Sequence, residues 1–203
     1  MTASEKPRGP LATPLFRALW IATIVSNVGT WMNDVGASWL MTSLSPSPLW
    51  VAMVQAATTL PMFLFALPGG ALADVVDRRK LLLASQVLIL LGAAGLATST
   101  ALGLTTPLVL LALTAVMGLG AALSAPAFQA IVPELVEKPA LADAIALNSL
   151  GVNIARAIGP ALGGVIVALA GPVAVFSLNA VSILAVLGVL YAWRRQPTVA
   201  ALP

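Results

Sequence analysis

Residues 69–80 read Gly69-Gly70-Ala71-Leu72-Ala73-Asp74-Val75-Val76-Asp77-Arg78-Arg79-Lys80, a charged break between two long apolar runs. This stretch holds five of the chain's seventeen charged residues. Three adjacent cations cannot reside in hydrocarbon, so the segment is expected to be a loop in water beside a membrane. Its excess of Arg and Lys marks that side as the cytoplasm, where short loops retain positive charge.

Composition points to the same class. Of the 203 residues, 60% are hydrophobic and 8% charged, with a mean hydropathy of +1.01. A soluble domain carries about 25% charged residues, so this chain cannot cover itself with a polar surface and the lipid bilayer is its expected partner. The net charge of +3 is too sparse for a nucleic-acid groove, and no nucleic acid is expected. With no Cys, disulfides and thiolate chemistry are excluded. With no His, the commonest general base and metal ligand is missing too. No metal site, no cofactor and no enzyme chemistry are expected, since intramembrane hydrolysis needs a Ser-His pair, paired Asp residues or a metal. The paired Asn-Pro-Ala turns of six-span water channels do not occur.

The apolar runs predict an all-α membrane protein with six transmembrane helices. A cytoplasmic tail covers 1–14 and a six-span bundle 15–195, with spans at about 15–41, 49–73, 81–101, 108–131, 141–170 and 173–193. Residues 196–203 are a second tail or the start of a linker to another bundle. Each span has enough residues to cross roughly 30 Å of hydrocarbon. The first run is too long for the apolar region of a signal peptide, and it carries Asn27, Asn33 and Asp34. Ser45 to Pro48, Thr105 to Pro107 and Gly171-Pro172 read as uncharged turns, and Pro133 to Pro139 as an exposed polar loop. Nine of the ten cations fall on the tails and even-numbered loops, so both termini are expected in the cytoplasm.

Deep inside the apolar runs only two ionisable residues remain, Asp34 and Arg156. Each costs about 2.5–3.5 kcal/mol in hydrocarbon unless it meets a cavity or a partner. Asp34 stands about 28 Å and Arg156 about 22 Å along helices that start on the same side. A salt bridge or a shared water-filled cavity is the expected arrangement, with a static neutralising pair as the bland version. Asn27, Thr30 and Asp34 share one face of the first helix, and Ser149, Asn153, Arg156 and Pro160 share one of the fifth. Gln55 in the second span either joins this lining or ties helices together. Gly159-Pro160-Ala161-Leu162-Gly163-Gly164 is a place where the fifth helix bends or lets another approach closely.

These residues resemble the amino-terminal half of a major facilitator superfamily transporter. The charged stretch is similar to that family's loop motif at Gly70, Leu72, Ala73, Asp74, Arg78, Arg79 and Lys80, with Asp77 where the family usually has Gly. The segment 155–164 resembles its antiporter motif at Gly159, Pro160, Gly163 and Gly164, with Ala155 in place of the leading Gly. The combination looks most like the secretion-effector and siderophore-exporter branch. An Arg that many drug-exporting relatives carry in the fourth span is absent from 108–131.

The resemblance implies one six-span bundle of a twelve-span fold, built as a 3+3 inverted repeat. It implies proton-driven export of small amphipathic molecules such as drugs or siderophores across the inner membrane of a bacterium. Asp34, Arg156, Asn27, Asn153 and Gln55 would form the coupling and substrate cavity. Gly70, Leu72, Asp74, Asp77, Arg78, Arg79 and Lys80 would form a cytoplasmic gate latch. A second six-span bundle, in the same chain or another copy, is the implied partner. The chain is then expected to be a fragment, a truncated product or a genuine half. The alternative is a non-transporting six-span protein that acts only when paired with another bundle.

Overall fold

The computed structural model describes residues 9–193; residues 1–8 and 194–203, and the side chain of Asp74, are not described. The expected tails with Lys6, Arg8, Arg194 and Arg195 therefore lie outside the described residues. The rest is helical, with no strand among the described residues. The long helices are α1 (Pro14–Leu44), α2 (Pro48–Val75), α3 (Arg78–Ala101), α4 (Pro107–Leu135) and α5 (Leu141–Ala192). Short 3-10 turns, Pro10–Ala12 and Lys138–Ala140, precede α1 and α5.

Local chemistry sets the starts. A proline opens α1, α2 and α4, where its missing N–H costs no hydrogen bond. Asp77 caps α3, its Oδ1 accepting from the Lys80 backbone N–H at 3.0 Å. Thr106 Oγ1 accepts from the Val109 N–H at 3.3 Å and caps α4.

The 52 residues of α5 do not run straight. Gly171 has φ +76°, a left-handed conformation that suits glycine, and there the chain turns back. Its two arms lie on α1 in opposite senses. In the first, Gly151 meets Ile24, Gly159 meets Val28 and Trp31, and Gly163 meets Met32. In the second, Val175 and Phe176 meet Gly36, whereas Asn179 and Ser182 meet Gly29. The first arm thus runs parallel to α1 and the second antiparallel.

The ends of the helices gather in two apolar clusters. One joins Phe16, Ala73, Leu81, Leu135, Ala144 and Trp193, which begin or end successive rods. The other joins Met41, Val54, Leu96, Leu110 and Phe176 at the opposite end. Between them lies a layer of buried polar side chains, among them Ser26, Asn33, Ser85, Thr114 and Asn179. Glycines permit close helix contacts in this layer: a Cβ on Gly118 would stand 2.9 Å from the Thr58 carbonyl oxygen of α2, and one on Gly120 2.8 Å from that of Ser85 in α3.

Four segments are long and apolar enough to cross a membrane: Pro48–Ala73, Arg78–Ala101, Pro107–Leu135 and Lys138–Ala192. In α1 the polar residues Arg17, Asn27, Asn33 and Asp34 interrupt the apolar run. Large apolar side chains point outward in number, with Phe63 83%, Leu67 87% and Leu169 84% exposed. Such a surface belongs in lipid rather than water.

Several expected boundaries move. Residues 69–80 are not one loop: α2 continues to Val75, α3 begins at Arg78, and Val76 and Asp77 alone connect them. Likewise α1 continues to Leu44 and α4 through Pro133 to Leu135. At the end of α4 the buried Val132 and Leu135 pack into the core and hold the last turn in register. The spans near 81 and 131 are thus longer helices than the apolar runs marked.

Candidate functional site

The polar layer opens into a cavity of about 370 Å³. From α1 it is lined by Thr23, Ser26, Asn27, Thr30, Asn33 and Asp34. The side chains 27, 30 and 34 form the expected stripe, and 23, 26, 30 and 33 form a second beside it, at spacings of three and four. Thr58 and Met62 of α2 close one side. Gln86 of α3 and Thr114, Ser124 and Gln129 of α4 form the far wall. Asn148 and Val152 contribute from the first arm of α5.

Asp34 is half-buried, lines this cavity, and has no hydrogen bond or ion pair to any described residue. The expected partner is elsewhere. Arg156 is exposed on the first arm of α5 and its Nη2 donates to Asn153 Oδ1 at 2.9 Å. Asn153 in turn donates to the Ser149 carbonyl at 2.9 Å. The register of α5 on α1 sets Arg156 level with Ile24 to Val28, at least about 9 Å short of Asp34 along the helix axis. The structure does not join Asp34 to Arg156, and Gln55 is exposed on α2, away from the cavity. Asn27 and Asp34 are brought together in it; Asn153, Arg156 and Gln55 are not.

Sequence reasoning missed the far wall. Gln86 and Gln129 are glutamines within apolar stretches and Thr114 lies deep in a fourth one, a signal that attention to ionisable groups passed over. Four cavity-lining residues have a buried oxygen with no partner: Thr23 Oγ1, Asn33 Oδ1, Gln86 Oε1 and Thr114 Oγ1. Gln86 Nε2 donates to Ser124 Oγ at 3.2 Å, and Asn33 Nδ2 has only the weak acceptor Met117 Sδ at 3.8 Å.

The basic triplet at the α2–α3 connection reaches two other helices. Arg78 Nη1 donates to Glu134 Oε1 at 2.8 Å and to the Ala130 carbonyl at 3.0 Å, tying α3 to the end of α4. Arg79 donates through Nε to the Leu190 carbonyl and through Nη2 to the Tyr191 carbonyl, both at 2.8 Å. It occupies the carbonyl-rich end of α5, where the helix dipole favours a cation. Lys80 is exposed, and Leu72 is 40% exposed.

The glycines of the fifth-helix motif divide. A Cβ on Gly159 would lie 2.5 Å from Trp31 Cβ, and one on Gly163 2.9 Å from Met32 Cα. Both are contact points between the α5 and α1 backbones. Gly164 and Gly70 have nothing within 4 Å of a Cβ position. Pro160 stays within α5.

Residues 5–203 match the transmembrane secretion effector family, a branch of the major facilitator superfamily. The chain belongs to that family. The chain is 30% identical over 142 residues to the staphyloferrin A transporter of Staphylococcus aureus, an alignment covering 70% of this chain and 36% of that protein. It is 30% identical over 158 residues to the enterobactin exporters of Citrobacter koseri and Salmonella typhimurium, covering 78% of this chain and 38% of each. The chain thus spans between a third and two fifths of the length of these relatives. The family is one of membrane transporters, not of enzymes.

Proposed function

We propose that this chain is a six-span half of a secondary transporter that exports small amphipathic molecules, such as drugs or siderophores, in exchange for protons. The reading places it in the inner membrane of a bacterium with both termini in the cytoplasm. The six rods would each cross the bilayer, the kinked α5 supplying two. The observation that carries the function is Asp34, a carboxylate with no partner among the described residues, on the wall of a cavity lined by both polar and apolar side chains. Such a group is costly inside a membrane protein unless it takes up a proton or meets a ligand.

In this reading Asp34 binds a proton from outside and releases it inside, and Asn27 and Thr30 contact the substrate beside it. A second six-span bundle closes the open side of the cavity. Arg156 and Asn153, exposed on α5, face that bundle, where a buried guanidinium can find a carboxylate. The pairs of Arg78 and Arg79 with α4 and α5 hold the cytoplasmic end of this half as one body, and Asp74 and Gly70 would latch it to the other half. The names of the relatives support export of a siderophore-like molecule.

The test uses inside-out vesicles carrying the chain together with a second bundle, with an imposed proton gradient and a fluorescent amphipathic dye as the probe. Gradient-driven dye uptake is expected, with loss of uptake but retained dye binding in Asp34→Asn. Uptake that keeps its rate and gradient dependence in Asp34→Asn refutes the role of Asp34. Absence of gradient-driven uptake of dye, citrate-type and catechol-type siderophores alike refutes the exporter reading.

A further inference from the structure

Four residues that line the cavity each carry an orphaned buried oxygen, which needs an explanation, because buried polar atoms in native structures are almost always hydrogen-bonded to protein or to water. They come from three helices and lie at two depths. Counting from the ends of their helices nearest the charged connection, Thr23 and Gln86 stand about 12–14 Å in, and Asn33 and Thr114 about 28–32 Å in. Ser124, Ser26 and Thr30 occupy intermediate depths of about 16–24 Å by the same count. All seven line the one cavity. Asn33 is 1% and Thr114 2% exposed, so bulk solvent does not reach them directly.

All these groups are neutral, and each offers one or two hydrogen-bonding positions with its helix neighbours already committed. A water needs two to four polar partners and about 30 Å³ of space, so a 370 Å³ cavity has room for about a dozen. We infer that the inner wall binds a file of ordered water molecules, running from beside Asp34, past Thr114 and Asn33, to Gln86 and Thr23 near the charged end of the bundle. The file gives protons a path to Asp34 from the charged end of the bundle. The water site stands on the orphaned atoms; its use as a proton path rests on the exporter reading.

Three methionines make the site testable. Met117, whose Sδ faces Asn33, and Met32, packed among valines, are each 6% exposed; Met41 is 0% exposed in an apolar cluster. X-ray pulses on the chain in nanodiscs generate hydroxyl radicals from water in place, and these oxidise methionine within reach. Met117 is expected to oxidise several-fold faster than Met32 and Met41, and to slow in Thr114→Val and in Gln86→Leu. If Met117 reacts as slowly as Met32, the water file is refuted.

Thermal stability provides a second, independent reading. If Thr114 Oγ1 is bonded to water, Thr114→Val lowers the unfolding midpoint; if it is dry, removal of an unsatisfied group leaves the midpoint unchanged or raises it, and the site is refuted. For the proton path, Thr114→Val and Gln86→Leu are expected to slow gradient-driven dye uptake in the vesicle assay even at saturating dye. Fast Met117 oxidation with unaltered uptake in both variants keeps the water site and refutes the path. Fast oxidation with no gradient-driven uptake in the parent chain refutes the exporter reading and the path, but not the water.

Discussion

Replacing Arg79 with Ala removes two charge-assisted hydrogen bonds, to the Leu190 and Tyr191 carbonyls. Fully buried bonds of this kind contribute about 1.5–3 kcal/mol each. Arg79 is only half-buried and one of its two bonds is exposed to solvent, so roughly 1 kcal/mol each is the better figure. That total of about 2 kcal/mol already includes the 0.3–1 kcal/mol typical of a cation at a helix C-terminus. For a chain of this length it corresponds to a drop in unfolding midpoint of about 4–8 °C. Trp193, 9% exposed and just past the capped end, reports the change through its fluorescence. Arg79→Lys should fall between, because an ammonium lacks the planar fork that reaches two carbonyls at once. Lys80→Ala, at an exposed neighbour, should stay within about 0.5 kcal/mol of the parent. If Arg79→Ala unfolds at the same midpoint as Lys80→Ala, the capping argument is refuted.

The fifth-helix glycines should separate by their surroundings: Gly159→Ala, with its Cβ 2.5 Å from Trp31 Cβ, should cost about 1–3 kcal/mol of stability, and Gly164→Ala, with open space, should be near neutral by the same unfolding assay. Cysteines introduced at Ser47 and Leu104 should react with an impermeant maleimide added outside intact cells, and cysteines at Val76 and Lys138 should not; Leu104 is the better site than Thr105, which is only 8% exposed and hydrogen-bonded to Ser99. Labelling at Val76 from outside would reverse the proposed topology. Arg78→Ala should loosen the end of α4 by roughly 1–2 kcal/mol, less than the loss of a buried ion pair, since both partners of the Glu134 bridge are partly exposed. Proteolysis near Pro133 that is no faster in Arg78→Ala than in the parent would count against that bridge.

Helical character and the cavity face of α1 were legible because both follow from spacing along a single helix. Asn27, Thr30 and Asp34 must share a side whatever α1 packs against. The helix ends were less legible. Hydropathy marks where hydrocarbon stops, whereas a hydrogen-bonded ladder continues into water as long as a cap or a packing residue holds it, as Asp77 does for α3 and Leu135 for α4. Pairing between helices was not legible at all. Asp34 and Arg156 have similar counted depths, but their contact depends on how α5 is rotated and set along α1. That is decided by Gly151, Gly159 and Gly163, whose missing side chains draw the α5 backbone against Ile24, Trp31 and Met32. The same close packing leaves Arg156 on the outside.

The motif residues thereby divide into two physical kinds. Gly159 and Gly163 press directly on α1, Asp77 caps α3, and Arg78 and Arg79 bond to α4 and α5, so each has its reason within this bundle. Gly70 and Gly164 have open space where a side chain would stand, and Arg156 lies on an exposed face with Asn153 for company. A glycine gains nothing from empty surroundings, and a guanidinium gains little from one amide in hydrocarbon. Both become intelligible when another backbone lies close against α2 and the first arm of α5, the surface that the proposed second bundle would cover. A mutation at the first kind of position should therefore register in the stability of this chain alone, and one at the second kind only when that bundle is present.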